Sequence, residues 1–262
     1  MSMKRAWQIG NILSLVFALI ANFVVGAQLL SLPGINEISD KYATLLTPAA
    51  YAFSIWSLIY TLLIVFTVYQ ARDIIAQRKE NDLPQKTGPY FIIANICNGI
   101  WTYVFVNELV GLSVVILLVL TASLYILLSR LRIAVYDAPL RVIACVWWPL
   151  LIYTGWVTVA TVVNIASWFV ALGIVVSSAA ACFILISLLF GLIILLIVRN
   201  VRELVLASAW GIFAIGIQQT YIANDMLVAS VAFAVSGALL GAVVTHAYMN
   251  RRASALNSRT SM

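Results

Sequence analysis

Long apolar stretches alternate with short polar connections along almost the whole chain of 262 residues. A helix that crosses roughly 30 Å of hydrocarbon needs about 20 predominantly apolar residues. Windows of that length fall near residues 9–30, 48–70, 89–108, 111–131, 142–166, 172–198, 203–220 and 226–248. The pattern therefore predicts an all-α fold, a polytopic membrane helical bundle of about eight transmembrane helices.

The polar connections carry charge in an alternating pattern that agrees with this division. With the N-terminus inside, 14 of the 15 Lys and Arg residues fall on the inner side with five acidic residues, a balance of +9. Lys41 and four acidic residues fall on the outer side, a balance of −3. Because cytoplasmic loops collect Lys and Arg, both termini are expected in the cytoplasm. The basic residues are spread over several short segments, so no nucleic-acid partner is expected.

Composition agrees with a membrane protein and narrows the chemistry. Hydrophobic residues make up 64% of the chain, charged residues 9%, and the mean hydropathy is +1.06. Ionisable groups inside a membrane usually mark proton or ion pathways, but Glu108 and Asp225 lie at helix ends and His246 is the single histidine. The three cysteines stand apart in separate spans, without metal or disulfide spacing. We expect no catalytic residues, no metal site and no cofactor.

Aromatic and amide side chains recur at helical spacing on three predicted spans. The second span carries Phe53, Trp56 and Tyr60, the third Asn98, Trp101 and Phe105, and the fifth Trp156, Ala160, Asn164 and Trp168. An interfacial aromatic belt combined with ordinary helix packing is the alternative explanation. It accounts less well for Asn98 and Asn164, because an unpaired amide inside the hydrocarbon costs roughly a few kcal/mol. Those two amides are expected to face protein or ligand.

These three stripes resemble the motifs of the TspO/MBR family, the tryptophan-rich sensory proteins related to the translocator protein. Pro48, Trp56 and Tyr60 match the family's second helix, and the stripes of the third and fifth spans match its third and fifth helices. The chain departs from the family where Tyr51 and Phe53 supply the aromatics of the second helix. The resemblance covers about residues 1–170. Residues 171–250 are expected to form three additional spans, and residues 251–262 a disordered cytoplasmic tail.

The resemblance implies a five-helix core with a pocket between its helices, beneath the connection 31–47 as a lid. The expected lining is Tyr51, Phe53, Trp56, Tyr60, Asn98, Trp101, Phe105, Trp156, Ala160, Asn164 and Trp168. Family members bind porphyrins and related tetrapyrroles, so the expected partners are a porphyrin-like hydrophobic small molecule and the lipids of a prokaryotic cytoplasmic membrane.

A ligand-binding sensor or carrier is the function that this resemblance favours. A secondary transporter of a hydrophobic small molecule and a light-dependent porphyrin-degrading enzyme are the alternatives. The absence of charge within the spans disfavours an ion-coupled transporter, and the absence of an acid/base pair disfavours an enzyme. The oligomeric state stays open, because the additional spans can occupy the surface through which family members dimerise.

Overall fold

A computed structural model describes residues 3–29, 31–76 and 82–260, although the side chains of residues 73–76 and 250–260 are outside this description. The described part contains eight long apolar helices. They are α1 (Met3–Gly26), α2 (Ile55–Ala76), α3 (Tyr90–Val106), α4 (Val110–Arg130), α5 (Trp148–Ala171), α6 (Ser178–Arg199), α7 (Arg202–Gln218) and α8 (Met226–Thr260). Each coincides with one predicted window. The prediction of an all-α, polytopic helical bundle is confirmed.

The helical segment of α3 is shorter than the other seven, since α7, also of 17 residues, continues through a π-helical turn to Ala223. Among the described residues, seven helical segments are long and apolar enough to cross a membrane, whereas α3 has 17 residues. At 1.5 Å per residue this corresponds to about 25 Å of rise. Pro89 limits α3 at its start because it has no N–H to give to a preceding turn, and Asn107 ends the helical geometry. Of the roughly eight spans predicted, seven are confirmed by their length and composition, and α3 is an apolar helix of shorter length.

The first five helices form a ring through their contacts. Helix α1 packs against α2 and α3, α3 against α4, α4 against α5, and α5 against α2. The last three helices follow on the outside, with α7 on α5, α8 on α7 and α6 on α8. The helices that carry the three aromatic stripes, α2, α3 and α5, are all members of the ring.

The backbones of α7 and α5 approach each other closely at Gly155. A Cβ atom added to Gly155 of α5 would lie 2.1 Å from the carbonyl oxygen of Leu204 in α7. The Ser208 hydroxyl donates to the Gly155 carbonyl oxygen at 3.0 Å. Farther along α7, the Trp210 indole Nε1 donates to the carbonyl oxygen of Ala52 at 3.2 Å. The additional helices are thus joined to the ring through backbone groups, at a place where only glycine leaves enough room.

The connections divide the bundle into two faces. The face with residues 27–54, here called the lid face, carries a short lid helix, Ile35–Lys41, and a 3₁₀ turn, Ala50–Ser54. The opposite face, here called the basic face, carries the short helix Leu83–Thr87 and the connection between α4 and α5. Helix α8 continues to Thr260, whereas the sequence predicts a disordered tail from residue 251 onward. Residues 261 and 262 lie outside the described part.

Candidate functional site

A cavity lies within the five-helix ring beneath the lid helix. Its empty space is about 560 Å³, of which only a small part is wide enough for water, so it is a narrow slit. Seven of the predicted site residues line it: Phe53, Trp56, Trp101, Phe105, Trp156, Ala160 and Asn164. The rest of its lining is Ile35, Ser39, Pro48, Leu117, Val159, Val163 and Ser167. This lining is aromatic, aliphatic and neutral polar, and it includes the lid helix as the sequence predicts.

Aromatic rings make up two groups in the slit. Phe53 and Trp56 both meet Trp156 edge to face, with centroids 5.9 and 6.3 Å apart and interplanar angles of 79° and 85°. Trp101 and Phe105 are stacked, with centroids 5.2 Å apart and an angle of 16°. Edge-to-face and stacked pairs hold one another in fixed orientations, each worth about 0.5 to 1.5 kcal/mol beyond area burial. The rings therefore present rigid, flat surfaces to the slit.

Asn164 is held in one orientation by Trp101. The Trp101 indole Nε1, which only donates, lies 2.9 Å from Asn164 Oδ1, and the Ser113 hydroxyl lies 3.1 Å from the same oxygen. Asn164 Oδ1 is therefore the acceptor, and Nδ2 is the free end of the amide. Asn164 is 4% exposed, and its Nδ2 has no hydrogen-bond partner among the described residues. A residue that lines the slit thus carries a buried N–H donor that the described residues leave without an acceptor.

Trp156 supplies a second donor of the same kind. Its indole is 2% exposed, and its Nε1 has no hydrogen-bond partner among the described residues. From the outer side of the ring, Gly211 of α7 approaches the indole, because a Cβ there would lie 3.5 Å from Trp156 Cζ3. Buried donors are normally paired, so two unpaired ones on residues that line the same cavity are exceptional. They indicate a cavity suited to a molecule with hydrogen-bond acceptors.

Two predicted site residues, Tyr60 and Asn98, form a separate polar cluster behind the slit. Tyr60 stacks on Trp56 at 5.3 Å and donates its hydroxyl to Asn98 Oδ1 at 3.2 Å. The Nδ2 of Asn22 on α1 donates to the same oxygen at 2.8 Å, and the Thr102 hydroxyl donates to Asn22 Oδ1 at 2.9 Å. Asn98 therefore faces protein, one of the two environments expected for it. It supports the site from behind.

Sequence reasoning missed Asn22, which joins α1 to this cluster. The signal was present, because an amide within an apolar span of a membrane helix is expected to have a polar partner. The lid residues Ile35 and Ser39 had only their position in the connection 31–47 to mark them. Leu117 of α4 had no distinguishing signal.

The remaining predicted site residues, Tyr51 and Trp168, lie outside the slit. Tyr51 belongs to the 3₁₀ turn before α2, is 41% exposed and meets Trp210 edge to face at 5.3 Å. Trp168 is 37% exposed, and its Nε1 would lie 2.8 Å from a Cβ added to Gly111. Gly111 therefore leaves the room in which Trp168 packs against α4. Both residues form part of the outer surface of the bundle.

Two glutamines of the additional helices, Gln218 and Gln219, lie where α7 ends. The structure buries both, and neither side-chain polar atom of Gln219 has a partner among the described residues. They lie where α7 passes into a π-helical turn, Gln219–Ala223, that packs against α7 and α8. Gln219 therefore lies against protein, and neither glutamine lines the slit.

A charged cluster fixes the lid helix to the ring. The Lys41 ammonium forms an ion pair with Glu108, between α3 and α4, and the Tyr42 hydroxyl donates to the same carboxylate at 2.8 Å. The hydrogen bond from Lys41 lowers the pKa of Glu108, and Glu108 raises the pKa of Lys41. Both groups are exposed, so salt weakens their attraction. We call this cluster the lid clamp.

Comparison with known proteins supplies the family. A family model described as TSPO-like protein matches residues 8–245. That range includes the last three helices, beyond the residues 1–170 on which the motif resemblance rests. No curated protein and no solved structure matches the chain. Because the match extends over most of the chain and the described part contains seven helices suited to a membrane, the chain belongs to the TSPO-like family and is a multi-pass membrane protein of the sensor or ligand-binding type.

Proposed function

We propose that the protein is a membrane receptor or carrier for a flat apolar molecule that bears hydrogen-bond acceptors, a porphyrin or another tetrapyrrole. The observation that carries this proposal is the pair of unpartnered donors in the slit, Asn164 Nδ2 and Trp156 Nε1. Stacked and edge-on rings around them suit a planar molecule. The slit is narrow as it stands, so the rings and the lid would move apart to admit a molecule of that size.

Such a site gives modest affinity. A ligand already dissolved in lipid gains little hydrophobic free energy when it enters a protein in the same bilayer, so stacking, shape and hydrogen bonds must supply the affinity. Three or four aromatic contacts at about 0.5 to 1.5 kcal/mol each and two hydrogen bonds at about 1 kcal/mol each add up to about 3.5 to 8 kcal/mol, a Kd between roughly millimolar and micromolar. This range suits a receptor or carrier that releases its ligand.

The site also favours neutral ligand groups. None of the described residues that line the slit is charged, so a carboxylate drawn into it would remain unneutralised in a medium of low polarity. A carbonyl oxygen accepts a hydrogen bond from an amide or indole N–H without that cost. We therefore expect the dimethyl ester of protoporphyrin IX to bind at least as tightly as the free acid.

The test is a titration of the purified protein in detergent with protoporphyrin IX and its dimethyl ester, followed by quenching of tryptophan fluorescence. Trp156→Phe keeps a ring but removes the N–H, so the Kd should rise about fivefold for the loss of one hydrogen bond. Trp168→Phe is the matched control: it makes the same change on the same helix, outside the slit, and should bind like the wild type.

Either of two results would contradict the proposal. Quenching that rises linearly without saturation would mean that the porphyrin only partitions into the micelle. Equal affinities of the wild type and both variants would show that the ligand binds elsewhere.

The orientation belongs to the same proposal. The basic face carries most of the Lys and Arg residues of the chain, so we place it in the cytoplasm. The lid face and the slit beneath it then lie at the outer side of a prokaryotic cytoplasmic membrane. Labelling of Lys41 by a membrane-impermeant amine reagent in intact cells checks this orientation.

A further inference from the structure

A second cavity lies on the basic face and shares no lining residue with the slit. Its empty space is about 1100 Å³, open to the surface. It is lined by Tyr69, Arg72, Asp82, Leu83, Lys86, Arg130, Leu131, Arg132, Tyr136, Val142, Val146 and Trp147. We propose that this basic cavity binds the phosphate group of an amphipathic anionic ligand. The proposed function of the slit does not depend on the residues of this cavity, so each proposal can be tested without the other.

Four cations from separate parts of the chain converge on the basic cavity. Arg72 comes from α2, Lys86 from the short helix Leu83–Thr87, Arg130 from the end of α4, and Arg132 from the turn that follows. Among the described residues, Asp82 is the one carboxylate in the lining. The described lining therefore carries a net positive charge of three, which attracts an anion with more than one negative oxygen.

Two of these guanidinium groups are fixed in place, and no carboxylate of the described residues forms an ion pair with them. Arg130 Nε donates to the carbonyl oxygen of Lys86 at 3.1 Å, and its guanidinium lies 5.4 Å from the ring centroid of Tyr90. Arg72 Nη1 donates to the carbonyl oxygen of Tyr69 at 3.0 Å, and its guanidinium lies 3.9 Å from the ring centroid of that residue. A carbonyl oxygen or an aromatic ring orients a cation but does not cancel its charge. Both groups therefore keep their charge for an outside anion.

The rest of the lining is apolar, which defines the other half of the ligand. Leu131, Val142, Val146 and Trp147 lie beside the cations. A small inorganic ion would leave these side chains uncovered, whereas a phosphate attached to an apolar part contacts both kinds of surface. Basic cavities between membrane helices are known to hold phosphate headgroups.

The usual preference for basic residues on one face does not account for this arrangement. That preference concerns how many Lys and Arg residues the connections carry, and it places no demand on where their side chains meet. Here cations of separate connections meet around one cavity, beside aliphatic and aromatic side chains. Arg141 and Arg199 follow the same preference but do not line the cavity. They can therefore be compared with the cations that do line it.

Native mass spectrometry of the protein in a neutral detergent tests the proposal. Dioleoyl phosphatidylglycerol and dioleoyl phosphatidylcholine are added in equal amounts, and the lipid retained by the protein is counted. A parallel calorimetric titration uses glycerol 3-phosphate, which has the phosphate but no acyl chains. Preferential retention of phosphatidylglycerol identifies a lipid headgroup, and binding of glycerol 3-phosphate alone identifies a soluble phosphate ester. Either result supports the site.

Matched double variants decide whether the basic cavity is the place of binding. Lys86→Gln with Arg132→Gln should weaken binding by about tenfold or more, since each surface cation contributes substantially to phosphate attraction. Arg141→Gln with Arg199→Gln removes the same charge from the same face and should leave binding unchanged. Lys86→Arg with Arg132→Lys keeps the charge, so it should restore binding and also show that substitution here is compatible with folding.

Three results would overturn the proposal. They are equal retention of the two lipids without binding of glycerol 3-phosphate, an equal loss of binding in both Gln double variants, and a loss of binding in the charge-preserving variant. In each case the cations serve only to orient the protein in the membrane.

Discussion

Asn164 allows a precise test at the scale of a single residue, because its two amide ends have different tasks. The Oδ1 atom accepts from Trp101, while Nδ2 finds no partner in the part of the chain that the structure describes. Asn164→Leu removes the free donor, so the Kd for protoporphyrin IX dimethyl ester should rise about fivefold to tenfold, the effect of losing roughly one hydrogen bond to the ligand. Quenching of tryptophan fluorescence measures this change.

Ser113→Ala is the control for this substitution. It removes the second group near Asn164 Oδ1, but Ser113 is not part of the cavity lining and its hydroxyl also donates to the carbonyl oxygen of Val110. Its affinity should equal that of the wild type. An Asn164→Leu protein that binds as tightly as the wild type would show that the free donor does not meet the ligand.

The sequence identifies residues that share a helix face better than residues that share a cavity. Phe53, Trp56, Trp101 and Phe105 follow from helical spacing, and the structure places all four on the slit. Steps of four residues, however, advance about 40° beyond a full turn, because an α-helix rotates about 100° per residue. After three such steps Trp168 is rotated about 120° from Trp156. Residues spaced four apart therefore turn gradually from one face of the helix to another, so the last member of a stripe lies on a different face from the first.

The spacing of residues along the sequence does not show which side chains form hydrogen bonds between helices. The hydrogen bond from Trp101 to Asn164 joins α3 to α5, and the one from Asn22 to Asn98 joins α1 to α3. Each of these amides is predictable as a group in need of a partner. Which partner it finds depends on the rotation of two helices, and a single apolar pattern leaves that rotation undetermined.

At the scale of the elements, the position of the lid helix depends on charge. The lid clamp is complete where Glu108 is ionised and Lys41 is protonated. Because the pKa of Glu108 is lowered from 4.5, its contribution is fully present above about pH 4.5 and is lost as the pH falls through the lowered value. Because the pKa of Lys41 is raised from 10.5, its contribution is fully present below about pH 10.5 and is lost only at higher pH.

Glu108→Gln should therefore accelerate porphyrin release at neutral pH, by less than about fivefold because the ion pair is exposed. At a pH below the lowered pKa of Glu108, the wild type should release porphyrin as fast as the variant does. Stopped-flow fluorescence at low salt measures the release rates. Asp40→Asn, on the same lid helix but outside the lid clamp, should leave the rate unchanged. A wild-type rate that stays constant into the acid range would show that the clamp does not hold the lid.

The elements themselves follow closely from the apolar windows, because bilayer thickness fixes the length of a spanning helix. The lid was also predictable in outline, since a connection of that length beside an aromatic helix start has few other places to lie. The order of the ring was not. Apolar windows are hydrophobic on most sides, so they do not show which face of α5 meets α2, α4 or α7.

At the scale of the whole molecule, the last three helices support the ring from outside. Helix α7 lies against α5 at Gly155 and contacts Trp156 through Gly211. The carbonyl oxygen of Ala214 also accepts from the backbone N–H of Ala49, next to the 3₁₀ turn. The family match through residue 245 agrees with a fold in which these helices are part of one unit. Separating α7 from α5 is therefore expected to disturb the ligand site as well.

Gly155→Ala tests this coupling with a single methyl group. The new Cβ would lie 2.1 Å from the Leu204 carbonyl oxygen and 2.9 Å from its carbon, both backbone atoms that yield only if α7 moves as a whole. Such overpacking costs about 1 to 3 kcal/mol, which exceeds the gain of roughly 1 kcal/mol from replacing a helical glycine by alanine. Thermal unfolding should therefore begin at a lower temperature, and the Kd for porphyrin should rise because Trp156 is displaced with its neighbour.

The control is Gly191→Ala on α6, where a Cβ meets no atom within 4 Å. This variant gains the helix propensity of alanine without a clash, so it should unfold at the same or a higher temperature. If Gly155→Ala lowered the unfolding temperature but left the Kd unchanged, the last three helices would stabilise the bundle without shaping the site.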